Sequence, residues 1–271
     1  MKLSLTSWSL RACSLQEAVG LSKVLGIGAL DLGYFYGPAL SRDAILEDPD
    51  GEAHRVRDLG IPVPCFYHLF GDSLAGRNMA DRSQHSGNWA DFRVICRFMK
   101  AAGIPTVFVL PGVVNPGQSR QDALAVSADG LAELVKIGSG VGVTVTIEPH
   151  VHSYLESPSL VLDLLDRVPG LKLTLDYAHF ACLGYRQEEV DVLAPHAAHV
   201  HLRQARPGAL QTKGAEGTIN MEAQFATLRD AGFDGYLALE YVHQDYMDTL
   251  YDDVLTETIG LRDKFRAWSK G

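Results

Sequence analysis

No cysteine pair at CxxC spacing occurs in this 271-residue chain; Cys13, Cys65, Cys96 and Cys182 stand far apart. Scattered cysteines in a chain of this length imply reduced, mostly buried thiols rather than a disulfide framework, and place the protein in the cytoplasm. No apolar run has the form of a signal peptide or the length to span a bilayer: the N-terminus opens MKLSLTSWSL and then turns polar. No basic run of five or more appears. With 24 Lys and Arg against 33 Asp and Glu, the net charge is −9, so the phosphate-neutralising footprint of a nucleic-acid binder is missing. The acidity reads as solubility. No sequence repeat, linker, low-complexity tract or charge block marks a second domain. The expected partner is therefore a small molecule, with neither nucleic acid nor membrane; a homo-oligomer is compatible with the sequence.

What is present is a repeated pattern. Short apolar runs alternate with longer amphipathic segments. The runs predict eight strands, at 3–9, 28–33, 61–67, 104–110, 143–148, 171–176, 197–202 and 235–240. Between them Ser14-Leu15-Gln16-Glu17 has the form of a capping box, and 119–139, 157–167 and 221–231 carry apolar positions at helical spacing. Glycines in AAGIP, VPGLK and DAGFDG fit helix C-terminal stops. An eighth of the chain is about 34 residues, the size of a βα unit. Eight such units predict a single (β/α)8 TIM barrel spanning 1–271, with parallel strands and an outer ring of helices. A doubly wound open sheet is disfavoured, because no GxGxxG follows the first strand. The polar stretch 68–90 is expected to be a loop over the barrel mouth.

In such a barrel the strand C-termini converge on the functional face. Four consecutive predicted strands end on metal-competent groups: Glu148, Asp176, the pair His199 and His201, and Glu240. Spacings of 28, 25 and 39 positions each approximate one βα unit. Three carboxylates on one rim repel one another unless a cation sits between them. The expected metal ligands are Glu148, Asp176, His201 and Glu240. His199 and His201 share a strand face, and His201 is chosen because it lies nearer the strand's end. His199 is left as either a hydrogen-bond partner one layer lower or a satisfied core histidine. One divalent cation is expected. Mn2+ is preferred for oxygen ligands with one imidazole, and Mg2+, Co2+, Fe2+ or Zn2+ are compatible.

On these residues the chain resembles the xylose isomerase-like barrel superfamily, in particular its sugar-phosphate isomerase/epimerase type. The matching pieces are IEPH (147–150), LDYAHF (175–180), HVHLR (199–203) and ALEY (238–241). The resemblance implies the same four ligands, a substrate contact at His179, and Glu148 and Glu240 as catalytic acid and base. Two positions depart from ketose 3-epimerases. The arginine expected after the seventh-strand motif falls on Pro207, with Arg203 and Arg206 nearby, and a further glutamate is replaced near Tyr154. Type IV endonucleases carry extra early histidines, of which only His68 has a counterpart, so DNA repair is not expected. His150 and His152, in EPHVH, are further candidate substrate contacts, as are Arg203 and His68. The Gly-rich segment 203–220, with Arg203, Arg206 and Lys213, is read as a closing loop. Trp8, Phe35, Tyr36, Tyr67 and Phe70 are either pocket walls or core.

The expected function is a divalent-metal-dependent sugar isomerase or epimerase. It would act on a small polyhydroxy ketone or aldehyde through a metal-stabilised enediolate. The alternative is a lyase on the same site, a dehydratase or an eliminase releasing an aglycone from a 3-oxo-sugar. A metal-free scaffold is the third reading.

Overall fold

The computed structural model describes residues 1–34, 40–245, 249 and 253–271. The expectations for Phe35 and Tyr36 lie outside the described residues. Eight parallel strands close into a barrel: β1 (Lys2–Thr6), β2 (Leu30–Gly33), β3 (Cys65–Tyr67), β4 (Thr106–Val109), β5 (Thr144–Ile147), β6 (Lys172–Asp176), β7 (Ala197–Leu202) and β10 (Tyr236–Leu239). Two short strands, β8 (Gln204–Arg206) and β9 (Ala209–Thr212), pair antiparallel outside it. Around the barrel, after successive strands, run α1 (Leu15–Val24), α2 (Arg42–Glu47) with α3 (Pro49–Arg57), α4 (His85–Ala102), α5 (Arg120–Ser139), α6 (Pro158–Arg167), α7 (Tyr177–Cys182) with α8 (Gln187–Asp191), α9 (Met221–Asp230) and α10 (Val254–Trp268). The fold is a (β/α)8 barrel. Among the described residues no helix is long and apolar enough to cross a membrane.

Local chemistry explains the element ends. Ser14 caps α1 in a reciprocal box: Glu17 N–H donates to its hydroxyl, and its own N–H donates to Glu17. Ser119 and Asp122 do the same for α5. Ser157 caps α6, whose Pro158 sits in the first turn where no N–H is needed. Gly103, at φ 77°, closes α4 in a left-handed conformation that a side chain would strain. β3 is shorter than its apolar run because Pro62 and Pro64 offer no ladder donors. Residues 7–9, expected as strand, instead turn in a 3-10 helix, Ser7–Leu10.

Two corrections concern the loops. The stretch 68–90 is not loop throughout, since α4 begins at His85. Its first turn is polar and hides the helical period, yet His85 and Asn88 are buried beneath Phe92, Ile95 and Met99. The segment 203–220 is not an open Gly-rich loop but carries the β8–β9 hairpin. Arg206 and Lys213 are exposed there.

Strand alternation divides the core in two. Leu30, Leu32, Val107, Val109, Ile147, Leu173, Leu175, Val200, Leu202, Leu237 and Leu239 face the helices and build the main apolar core. The opposite face fills the barrel. At its mouth Trp8, Cys65, Tyr67, Leu69, Phe108 and Val242 form a separate apolar cluster. The rest of the interior is polar: Thr146 hydrogen-bonds Thr174 across β5 and β6 at 2.7 Å and donates to Val107 O. Interiors of this fold are usually filled by branched apolar residues; here buried hydroxyl groups replace part of that filling.

Candidate metal centre

Glu148 follows β5, Asp176 ends β6, His201 lies on β7 and Glu240 follows β10. β10, β7, β6 and β5 are consecutive in the closed sheet, so the four side chains meet inside the same rim. One donor atom from each lies within 4.8 Å of the others, and all four residues are buried. His201 Nδ1 is 2.5 Å from Glu148 Oε1 and 3.3 Å from Glu240 Oε2. Trp8 donates its indole N–H to Glu240 Oε1 at 2.6 Å and packs edge-on against the His201 ring. Phe108 also packs edge-on against that ring. Trp8 and Tyr67 thus wall the apolar side of the centre, while Phe70 faces the outer core.

Arg203 enters this cluster directly. Its guanidinium donates to Asp176 Oδ2 at 2.7 Å and lies 3.5 Å from Glu240 Oε2. Residue 203 shares the parity of 199 and 201, so the strand's continuation turns it inward. His179 sits on α7, three residues beyond Asp176, and Val151 N–H donates to its Nδ1 at 3.1 Å. Its Nε2 lies 3.2 Å from the Arg203 guanidinium and 3.6 Å from Asp176 Oδ2. The His150 ring lies 4.1 Å from that of His179. Glu148, His150 and His179 therefore form a polar flank beside the four-residue cluster.

Two expected contacts are not brought in. His152 is exposed, with its backbone in the left-handed region (φ 66°) and its N–H bonded to Glu156. His68 continues β3 with the parity of Phe66, so its side chain faces the helices, packed against Phe70 and Phe92 and bonded to the Tyr34 hydroxyl. Tyr154, where a further glutamate was sought, is buried and bonded to Ser127. Asp31 on β2 was missed: it is buried and lies 2.6 Å from His199 Nε2. Its signal was an acidic residue within the apolar run GALDLG, since Asp is depleted in strands.

Electrostatics fit a cation. Burial pushes Glu148 up to about 7, although His201 pulls the other way. Burial alone would lower His201, but Glu240 and Glu148 outweigh it and raise the ring to about 9. Burial also raises Asp176, against Arg203. For Glu240 the burial penalty is overcome by His201 and Arg203, and its carboxyl is held low. Glu240 Oε2 is buried yet makes no hydrogen bond among the described residues. With the three carboxylates ionised and His201 neutral, as ligation requires, Arg203 offsets one of three negative charges and two remain. A divalent cation would balance them. The residues present therefore suit a divalent metal.

Two consequences are measurable. Cation binding is expected to release protons near neutral pH and to tighten as pH rises from about 6 to 9, because Glu148 and His201 must be deprotonated to serve as ligands. Titration calorimetry in buffers of different ionisation enthalpy reads this directly; a proton count of zero would refute it. In chelator-treated protein the stability these two groups contribute is full below their ordinary values of 4.5 and 6.5. It is lost as pH rises through about 7 for Glu148 and about 9 for His201. The melting temperature should therefore fall over that window.

Comparison with known proteins agrees with this architecture. Residues 21–259 match the family model described as xylose isomerase-like TIM barrel. An inosose isomerase of Bacillus licheniformis is 24% identical over 187 residues, 65% of this chain and 67% of that protein. The structure of the IolI protein with a bound zinc atom superposes with a TM-score of 0.74 at 19% identity, covering 97% of this chain and 96% of that one. An L-ribulose 3-epimerase structure gives 0.75 at 17% identity, covering 99% and 94%. The family match spans most of the chain, and the barrel with its rim of acidic and histidine side chains accords with it: the chain belongs to the xylose isomerase-like TIM barrel family.

Proposed function

We propose that the protein is a divalent-metal-dependent isomerase or epimerase of a small polyhydroxy ketone or aldehyde. The observation that carries this reading is the pair of buried carboxylates, Glu148 and Glu240, that meet at His201 Nδ1. Epimerisation needs a proton removed from one face of a carbon and returned on the other. Glu240, oriented by the Trp8 indole N–H, and Glu148, beside His201, are the two carboxylates that would carry this proton. A divalent cation on Glu148, Asp176, His201 and Glu240, with Mn2+ as the preferred ion, would supply Lewis acidity for the carbonyl oxygen beside that carbon. His179, His150 and Arg203 flank the centre and would hold substrate hydroxyls. Trp8 and Tyr67 exclude water from its apolar side. The inosose isomerase, the L-ribulose 3-epimerase and the zinc-bound IolI lend support by likeness. Lyase chemistry on this centre would ask a histidine to protonate a leaving group. Burial lowers His150 to about 4 and His179 well below its usual value, so both are neutral and weak donors.

Incubating the Mn2+-loaded protein with a panel of ketoses in D2O is expected to place deuterium on the carbon next to the carbonyl. Release of an unsaturated product or an aglycone would instead favour the lyase. No exchange with any ketose, keto-inositol or keto-acid would count against both.

A further inference from the structure

We infer that Asp31 is a positioning residue for His201, steadied from below by His199; this rests on the reading of His201 as a metal ligand. β2 and β7 are separated in the closed sheet by β1 and β10, so contact between Asp31 and the β7 histidines crosses the barrel interior. Asp31, His199 and His201 are each at most 1% exposed. His199 Nε2 lies 2.6 Å from Asp31 Oδ2. A carboxylate oxygen of Asp31 and one ring nitrogen of each histidine lie within 4.8 Å of one another. The His201 ring stands at 89° to that of His199, centroids 5.5 Å apart.

The unmatched atoms give the direction of the interaction. His201 Nδ1 faces Glu148 and Glu240, which leaves Nε2 on the opposite flank of the ring. Nε2 is buried and makes no hydrogen bond, and neither does Asp31 Oδ1. A neutral imidazole that ligates through Nδ1 carries its proton on Nε2 and needs an acceptor there. Leaving a buried donor without one is costly. Asp31 is the carboxylate below the ring, and its second oxygen is already engaged by His199. The arrangement is a carboxylate behind a metal-binding histidine: it sets the tautomer, fixes the ring plane and raises the basicity of the ligating nitrogen. The HVH motif thus has two tasks, with His201 binding the cation and His199 holding the group that aims it.

The test has two arms. In the first, Asp31→Asn is compared with the wild type for Co2+ affinity, by competition with a chromophoric chelator, and for the visible absorption of the bound Co2+. Asp31→Asn is expected to weaken Co2+ binding by about 10–100-fold and to shift the absorption bands. Affinity within twofold and an unchanged spectrum would overturn the inference. The second arm needs no variant at Asp31. In zinc-loaded wild-type protein labelled with 15N-histidine, the His201 resonances, assigned through His201→Gln, should show a slowly exchanging, strongly downfield proton on Nε2. A proton on Nδ1 would overturn the proposal even if Asp31→Asn did not fold. Wild-type protein that takes up neither Co2+ nor Zn2+ would remove the metal reading itself, a separate outcome from either failure above.

Discussion

Glu148→Gln is expected to lower turnover by about 10²–10⁴-fold, the range that general acid–base groups supply, and to stop deuterium exchange at the substrate carbon to the same extent. The substitution keeps the shape and one acceptor oxygen, so His201 can still hydrogen-bond it, but the amide cannot carry the proton. Glu240→Gln should cost a comparable factor, about 3–5 kcal/mol of transition-state stabilisation for each change. Trp8 can still donate to the amide oxygen, which keeps the side chain in place. Metal content must be measured beside the rate, because each residue is also a proposed ligand. A Glu148→Gln protein that retains its metal and exchanges deuterium within tenfold of wild type would remove Glu148 from the acid–base role. If one variant loses exchange in only one direction of an epimer pair, the two glutamates serve opposite faces of the carbon.

His201→Ala carries the second large effect, because it acts on both metal and fold. With His201 gone the centre keeps three carboxylates and only Arg203 as counter-charge. Breaking a buried ion pair by removing one partner typically costs about 3–5 kcal/mol. The expected result is a chelator-treated protein destabilised by that amount at neutral pH, together with loss of bound metal and of activity. Denaturant unfolding at pH 6 and pH 9.5 separates the causes. The loss should be largest at pH 6, where His201 is protonated, and smaller above about pH 9, where the wild type has lost that charge as well. Equal losses at the two pH values would show that packing against Trp8 and Phe108, not charge, is what His201 contributes. Unchanged metal content in the variant would place the metal elsewhere.

The cluster of Glu148, Asp176, His201 and Glu240 was legible along the chain because two periods coincide. Strands of one repeat length end on the same rim, and each of the last four ends on a carboxylate or histidine. The cap of the first helix was legible for a similar reason: Ser14 with Glu17 satisfies orphan N–H groups within a few residues of sequence. His68 illustrates where such reading stops. It stands at a strand end, as Asp176 does, yet one step of parity sends it to the helix side of the sheet. His152 follows Glu148 closely, but a left-handed residue turns its side chain to solvent. Arg203 read as part of a mobile loop, whereas it continues β7 far enough to reach Asp176.

The sequence by itself determined the barrel, its eight strands, and the four groups Glu148, Asp176, His201 and Glu240, because these depend on local period and on the order of strand ends. Only the tertiary structure decided what lies across the interior: Asp31 beside His199, Trp8 on Glu240, and Arg203 among the carboxylates. Alternation along a strand tells which side a residue faces. Which residue it meets depends on how eight strands are staggered when the sheet closes, and no local pattern in the chain encodes that stagger.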